Sequence, residues 1–169
     1  SLSLDRAIQE LAWKPLGIQD AFFARTDRNP VAGRNEEIAA TEICPWRREV
    51  LQGQVHDDNC WAMGGYSGHC GAFAHILDVM LFAKTFFGRF FSPSLKHRAT
   101  TRVPIAGASR TFGWDTPTAG GSTGQYFSDQ TIGHLGFTGT SLWIDLKNEL
   151  AIGVLTNRVH PTRNNNKIK

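Results

Sequence analysis

The stretch Ile132-Gly133-His134-Leu135-Gly136-Phe137-Thr138-Gly139-Thr140-Ser141-Leu142-Trp143-Ile144-Asp145 places a His-x-Gly triplet at the start of a strand-like run. Gly136 and Gly139 remove side chains where a strand edge has to admit another backbone, and glycine inside a strand often marks such an approach. A substrate at that edge would meet His134, whose imidazole donates a hydrogen bond or carries a proton near neutral pH. The ordinary alternative is a glycine-containing turn into a strand, with His134 solvated at its start. An isolated His-x-Gly is more often that.

Working outward, Thr140 to Ile144 and Leu150 to Leu155 are rich in apolar and β-branched residues. The turn signal Asp145-Leu146-Lys147-Asn148-Glu149 joins them, and together they predict an antiparallel hairpin. The other strands of its sheet are expected outside this chain, or replaced by something else. Such a hairpin with two helices leaves apolar faces to be covered by a missing segment of the same protein or by a second copy.

Two helices are predicted. Leu4, Ala7, Ile8, Leu11 and Ala12 recur at helical spacing behind Ser3 as N-cap, with Pro15 and Gly17 as closing signals. Ala72 to Phe87 carries Phe73, Ile76, Leu77, Met80, Leu81 and Lys84 at helical positions, with Gly88 as the stop. Asp20 to Gly71 is irregular, interrupted by Pro30, Gly33, Pro45, Gly53 and the Gly64-Gly65 pair, and predicts a long covering segment. Lys84 to Arg110 predicts an exposed loop. It holds six Lys and Arg residues and no acid, a pattern able to attract phosphate. Pro93, Pro104 and Gly107 argue for a solvated loop instead, the formal net charge is only +3, and no nucleic-acid partner is expected.

With 169 residues, 41% apolar content, 11 Phe and 5 Trp, the chain has material for a sizeable core and is not of disordered composition. No apolar run approaches the ~20 residues of a membrane helix. Cys44, Cys60 and Cys70 are odd in number and lack Cys-x-x-Cys spacing, which predicts free thiols. His56, Asp57, Asp58, His69 and Cys70 are metal-ligand types, but their spacing matches no zinc pattern, so no metal is expected. Cys70 next to His69 invites a thiol nucleophile. Sequence neighbours rarely face each other, however, and a buried structural cysteine is expected.

Four segments in order carry a resemblance to the serine β-lactamase, D,D-peptidase and esterase superfamily over nearly the whole chain. They are Trp13 to Asp20, Gly53 to Asn59, Gly64 to Phe73, and His134 to Asp145 with Leu155 to Pro161. The resemblance implies an α+β fold in which residues 1–169 form one partial domain, the C-terminal part of a longer hydrolase, with 20–71 lining the active-site rim. It makes His134, Leu135 and Gly136 the third motif, with Thr138 among the substrate-binding positions and Phe137 N–H an oxyanion donor. It also implies that Asp57 and Asn59 satisfy turn amides, and that Ala74 stands where an N-cap serine is usual. Leu135 replaces the usual Thr or Ser whose hydroxyl helps hold a substrate carboxylate, which favours an esterase-like or peptidase-like parent over β-lactam recognition.

The superfamily's nucleophile pair is not in this sequence. Ser67 is followed three places on by Cys70, Ser94 by His97, Ser109 by Phe112, Ser122 by Gln125 and Ser128 by Thr131, and the remaining serines fare no better. Tyr66 and Tyr126 are followed two places on by Gly68 and Ser128, so Tyr-x-Asn is missing as well. A serine needs an adjacent base to lose its proton at neutral pH. The resemblance therefore implies a parent enzyme that acylates a serine, absent here, with a small ester, amide or lactam and uses no cofactor, while this chain alone is inactive. The competing reading is a noncatalytic interaction or peptidoglycan-binding module on the same scaffold.

Overall fold

The computed structural model describes residues 2–27 and 37–165. Its elements in order are α1 (Leu4–Ile8), a π-helical turn (Gln9–Trp13), α2 (Lys14–Leu16), β1 (Phe22–Phe23), β2 (Ile43–Cys44), β3 (Glu49–Val50), α3 (Asp58–Ala62), β4 (Ala72–Phe73), α4 (Ile76–Lys84), α5 (Pro93–Thr100), β5 (Thr131–Leu135), β6 (Ser141–Asp145) and β7 (Leu150–Val154). This is an α+β chain. It divides into two compact units, one of Ser1–Asp78, Phe137–Gly139 and Leu155–Lys169, the other of Val79–Gly136 and Thr140–Val154.

The second unit is built on a three-stranded antiparallel sheet in the order β5-β6-β7. The predicted hairpin is there, with Asp145 opposite Leu150 and Ser141 opposite Val154. Its sheet gains a strand from within the chain, because Thr131 to Leu135 pairs β6 with Ile132 opposite Ile144 and His134 opposite Leu142. The expectation that the sheet's other strands lie outside this chain, or are replaced by something else, is corrected for one of them: the residues entering the His-x-Gly triplet are themselves a strand. Strand alternation puts Ile132, Ile144, Leu142 and Ala151 on one face, where they pack with Ala83, Phe86, Met80 and Phe82. Burying two isoleucines of this cluster contributes about 1.5–3 kcal/mol each. Leu150, Ile152 and Val154 alternate onto the other face and stay 47%, 43% and 43% exposed.

The β6–β7 turn is organised by Asp145. Its carboxylate, 1% exposed, accepts bonds from Lys147 N, Asn148 N, Asn148 Nδ2, Ser128 N and Ser128 Oγ. Burial pushes its pKa up, but the Ser128 and Asn148 donors hold it well below the usual carboxylate range.

The first helix has its expected N-cap position at Ser3 and its stop at Gly17, with Pro15 inside it, and two other helix expectations are corrected. At the first helix, Ser3 occupies the N-cap position without a side-chain cap bond, and the helix runs through Pro15 to a left-handed Gly17 at φ 71°. The π-helical turn lets it do so: Lys14 N–H reaches back to Gln9 O, a wider register that relieves the proline ring's clash with the preceding turn. At the second, Phe73 leaves the helical stripe to pair Phe22, and their rings stack at 5.1 Å and 9°. Helix α4 therefore starts only at Ile76 and ends at Lys84, where 3₁₀-type bonds close it ahead of Gly88. Finally, the basic stretch expected to be all loop holds α5. Pro93 sits in its first turn and Ser92 Oγ accepts Leu95 N at 3.3 Å, so this proline starts a helix where a loop was expected.

In the first unit, the described part of 20–71 contains two-residue strands and the five-residue α3. Asp57 caps α3 by accepting Cys60 N at 2.7 Å, and that amide holds its carboxyl below the usual range. Among the described residues no helix is long and apolar enough to cross a membrane.

Candidate active-site strand

Strand β5 lies at one edge of its sheet, and backbone groups along an edge strand point alternately at the neighbour and outward. Gly133 points outward, and Asp115 takes both its groups, through Asp115 N to Gly133 O at 2.7 Å and Gly133 N to Asp115 O at 3.0 Å. Leu135 is the next outward position. His134 shares a strand face with Ile132 but lies exposed past the end of the core. Its Nδ1 stands 2.7 Å from Leu135 O. A carbonyl only accepts, so Nδ1 carries the hydrogen and Nε2 is left as the acceptor of the neutral ring.

The glycines serve the chain's own packing. A Cβ on Gly136 would stand 2.0 Å from Thr140 Oγ1, and one on Gly139, at φ 107°, 2.6 Å from Thr156 Oγ1. The chain's own packing thus requires both glycines, through Thr140 and Thr156.

Phe137 and Thr138 belong to the first unit. Phe137 is 59% exposed, its ring stacked on His56 with centroids 5.6 Å apart and with the Arg158 guanidinium over it at 4.6 Å. Arg158 Nε donates to Phe137 O and Arg158 N to Thr138 O, at 2.9 and 2.8 Å. His56 is buried, with Nε2 3.0 Å from Glu42 Oε2. Burial is the larger influence and lowers its pKa, outweighing Glu42. Glu42 has little charge to spare, because Arg163 reaches it at 2.7 Å and, with His56, holds its carboxyl low. In the sequence His56 stands among residues of metal-ligand type whose spacing matches no zinc pattern, and nothing there signals its support of Phe137. No local signal links residues 81 positions apart in the sequence.

The structure also brings together residues that spacing kept apart. Asp57, His69 and Cys70 place ligand-type atoms within 4.8 Å of one another. The expectation that neighbours His69 and Cys70 face apart is corrected, because Ser67 N bonds Cys70 O at 3.1 Å and folds the segment back on itself. Cys70 is half-buried rather than buried, while Cys44 and Cys60 are buried, and all three are free thiols. Burial and the neighbouring Cys60 push the Cys70 thiol up to about 12, so it is protonated and a poor nucleophile at neutral pH.

The mixed helix and antiparallel-sheet architecture is that of β-lactamase-fold proteins. The family model described as Beta-lactamase matches residues 1–168, and the chain belongs to that family. A Salmonella gallinarum protein provisionally named a D-alanyl-D-alanine carboxypeptidase is 32% identical over 99% of this chain and 43% of its own length. A Salmonella agona protein of the same name matches at 32% over the same shares. The chain thus spans less than half the length of these relatives. Among solved structures, a beta-lactamase from Mycobacterium bovis aligns with TM-score 0.57 at 22% identity, over 91% of this chain and 48% of that one. Simvastatin synthase (LovD) from Aspergillus terreus, as a mutant, aligns with TM-score 0.59 at 15% identity, over 89% and 42%. These two likenesses concern the fold.

Proposed function

We propose that this chain is part of a serine acyl-transfer hydrolase of the D-alanyl-D-alanine carboxypeptidase kind, and that the remainder of the protein supplies the nucleophilic serine with its lysine and tyrosine. The observation that carries the reading is at β5. The outward position Leu135 follows the occupied Gly133, and beside it the Nδ1 bond to Leu135 O leaves His134 Nε2 as an acceptor. An extended acyl group would add to that edge by main-chain bonding. The serine oxygen would attack its carbonyl carbon, and the oxygen that gains charge would be met by Phe137 N–H and the serine's own N–H. His134 would stand beside the departing group, and water would then release the acyl chain. Gly136 and Thr138 flank the donor residue. The substrate class is a small ester, amide or lactam, with D-alanyl peptides the first to test because the relatives carry that name. The exposed Leu150, Ile152 and Val154 support a partner for the sheet, either the rest of the protein or a second copy.

The test is intact-mass analysis of this chain after incubation with a penicillin or a fluorophosphonate. No adduct is expected, and a stoichiometric adduct overturns the proposal. In the longer protein carrying Ser-x-x-Lys, an adduct is expected on that serine. There His134→Ala should lower turnover roughly 10²- to 10⁴-fold, and unchanged turnover removes His134 from the chemistry.

A further inference from the structure

We propose that Asp57, His69 and Cys70 form a three-ligand site for a zinc-type divalent cation. The three side chains come from the N-cap of α3 and from the segment after it, and their ligand atoms all fall within 4.8 Å of one another. His69 Nε2 and Asp57 Oδ1 are 3.4 Å apart. That is long for a charge-assisted hydrogen bond, which prefers ~2.7–2.9 Å. It matches the roughly 3.4 Å separating two ligands that each hold a tetrahedral zinc at ~2.0–2.1 Å.

The surroundings orient each ligand. The other ring nitrogen, His69 Nδ1, is 2.9 Å from Ser67 Oγ, as outer-shell partners hold a metal-binding imidazole. With the Nδ1 hydrogen on Ser67, Nε2 presents its lone pair toward Asp57, and the Cys70 ligand atom falls within the same 4.8 Å cluster. Ser67 Oγ also lies 3.8 Å from Cys70 Sγ and bonds Cys70 O at 3.4 Å, so one residue positions two ligands. Asp57 Oδ1 accepts Cys60 N at 2.7 Å, which fixes the carboxylate and leaves lone pairs to spare.

A thiolate, an imidazole and a carboxylate select zinc over magnesium or calcium, which prefer oxygen alone. On binding, the Cys70 thiol proton leaves to solvent and sulfur coordinates the metal. The cation's two charges are then matched by one thiolate and one carboxylate. Three protein ligands leave a fourth position to water, and the side chains of His69 and Asp57, 54% and 40% exposed, leave a path for the ion. The ion would tie the segment 67–70 to the start of α3.

The test titrates the full, metal-stripped chain, with its thiols kept reduced, with Co²⁺ and then Zn²⁺. One equivalent of Co²⁺ should raise a thiolate-to-cobalt charge-transfer band and visible bands of a tetrahedral ion, bleached by stoichiometric Zn²⁺. Cys70→Ala should abolish the charge-transfer band, and Cys44→Ala should leave it. Ser67→Ala should weaken binding roughly 10- to 100-fold, and His69→Asn at least as much. His69 is exposed, so His69→Asn keeps the test decisive if Cys70→Ala fails to fold, with far-ultraviolet circular dichroism checking each variant. No charge-transfer band in the parent chain, a band surviving Cys70→Ala, or full affinity in folded His69→Asn would each overturn the site.

Discussion

The imidazole of His56 lies against the ring of Phe137, centroids 5.6 Å apart and planes at 22°, while its Nε2 faces Glu42 at 3.0 Å. The residue proposed to lend its amide to an oxyanion thus rests on a buried imidazole, and Arg158 steadies its carbonyl. Side chains distant in sequence, rather than sheet pairing, hold the backbone at Phe137.

Stability should therefore fall on mild acidification. Burial puts the native His56 pKa below its ordinary 6.5, so the unfolded chain takes up the proton first. This contribution is complete above ~6.5 and is lost as pH drops toward the native pKa. Glu42, lowered from 4.5, adds its loss only at stronger acidity. Urea unfolding at pH near 7.5 and near 5.5 should give a lower midpoint at the lower pH. His56→Phe should flatten that difference, and an equal slope in the variant would remove His56 as its source.

Asp145→Asn should destabilise the chain by on the order of 3 kcal/mol, since several donors lose a charged acceptor and one meets an amide NH₂. The native Asp145 pKa lies below 3.8, so its share of stability is present above that value and vanishes as pH falls further. Chemical unfolding at neutral pH measures the loss. A change within ~0.5 kcal/mol, the range of ordinary surface substitutions, would mean that the turn closes without it.

Gly136→Ala should cost about 1–3 kcal/mol, as overpacking does, because its Cβ would meet Thr140 Oγ1 at 2.0 Å. Thr140→Ala in the same chain should recover most of the loss. A double-mutant cycle checks this, and strict additivity would show that the clash is not the cause.

Arg47 is 3% exposed and lies over the rings of Trp46 and Trp61, 5.0 and 5.1 Å from their centres. It donates to Val55 O and His56 O at 2.8 and 3.2 Å. A lysine keeps the charge but not the planar fork or the stacking, so Arg47→Lys should lose on the order of 2 kcal/mol. Thermal unfolding should show a lowered midpoint, and an unchanged one would make the fork dispensable.

The hairpin is legible in the sequence because strand alternation and turn chemistry are properties of neighbouring residues. Asp145 and Asn148 bond within the very turn they signal. The His-x-Gly triplet is legible as a motif for the same reason. Phe73 is not, because its apolar side chain satisfies a helical stripe and a strand pair equally well, and only Phe22, brought back across 51 positions, decides between them. Pro93 carries one signal with two meanings, a loop breaker or the first turn of a helix, and the hydrogen bonds of Ser94 to Thr100 select the second.

The sequence by itself determined the β6–β7 strands and the lack of a Ser-x-x-Lys pair, since each comes from spacing along the chain, while the α+β character and the third-motif positions came from the family resemblance that its motifs carry. Only the tertiary structure decided that Asp115 occupies the edge at Gly133, that His56 supports Phe137, and that Asp57 meets His69 and Cys70. Those contacts join residues separated by 18, 81 and at least 12 positions. Loop closure and packing set such meetings, and periodicity, which spans a few residues, does not encode them.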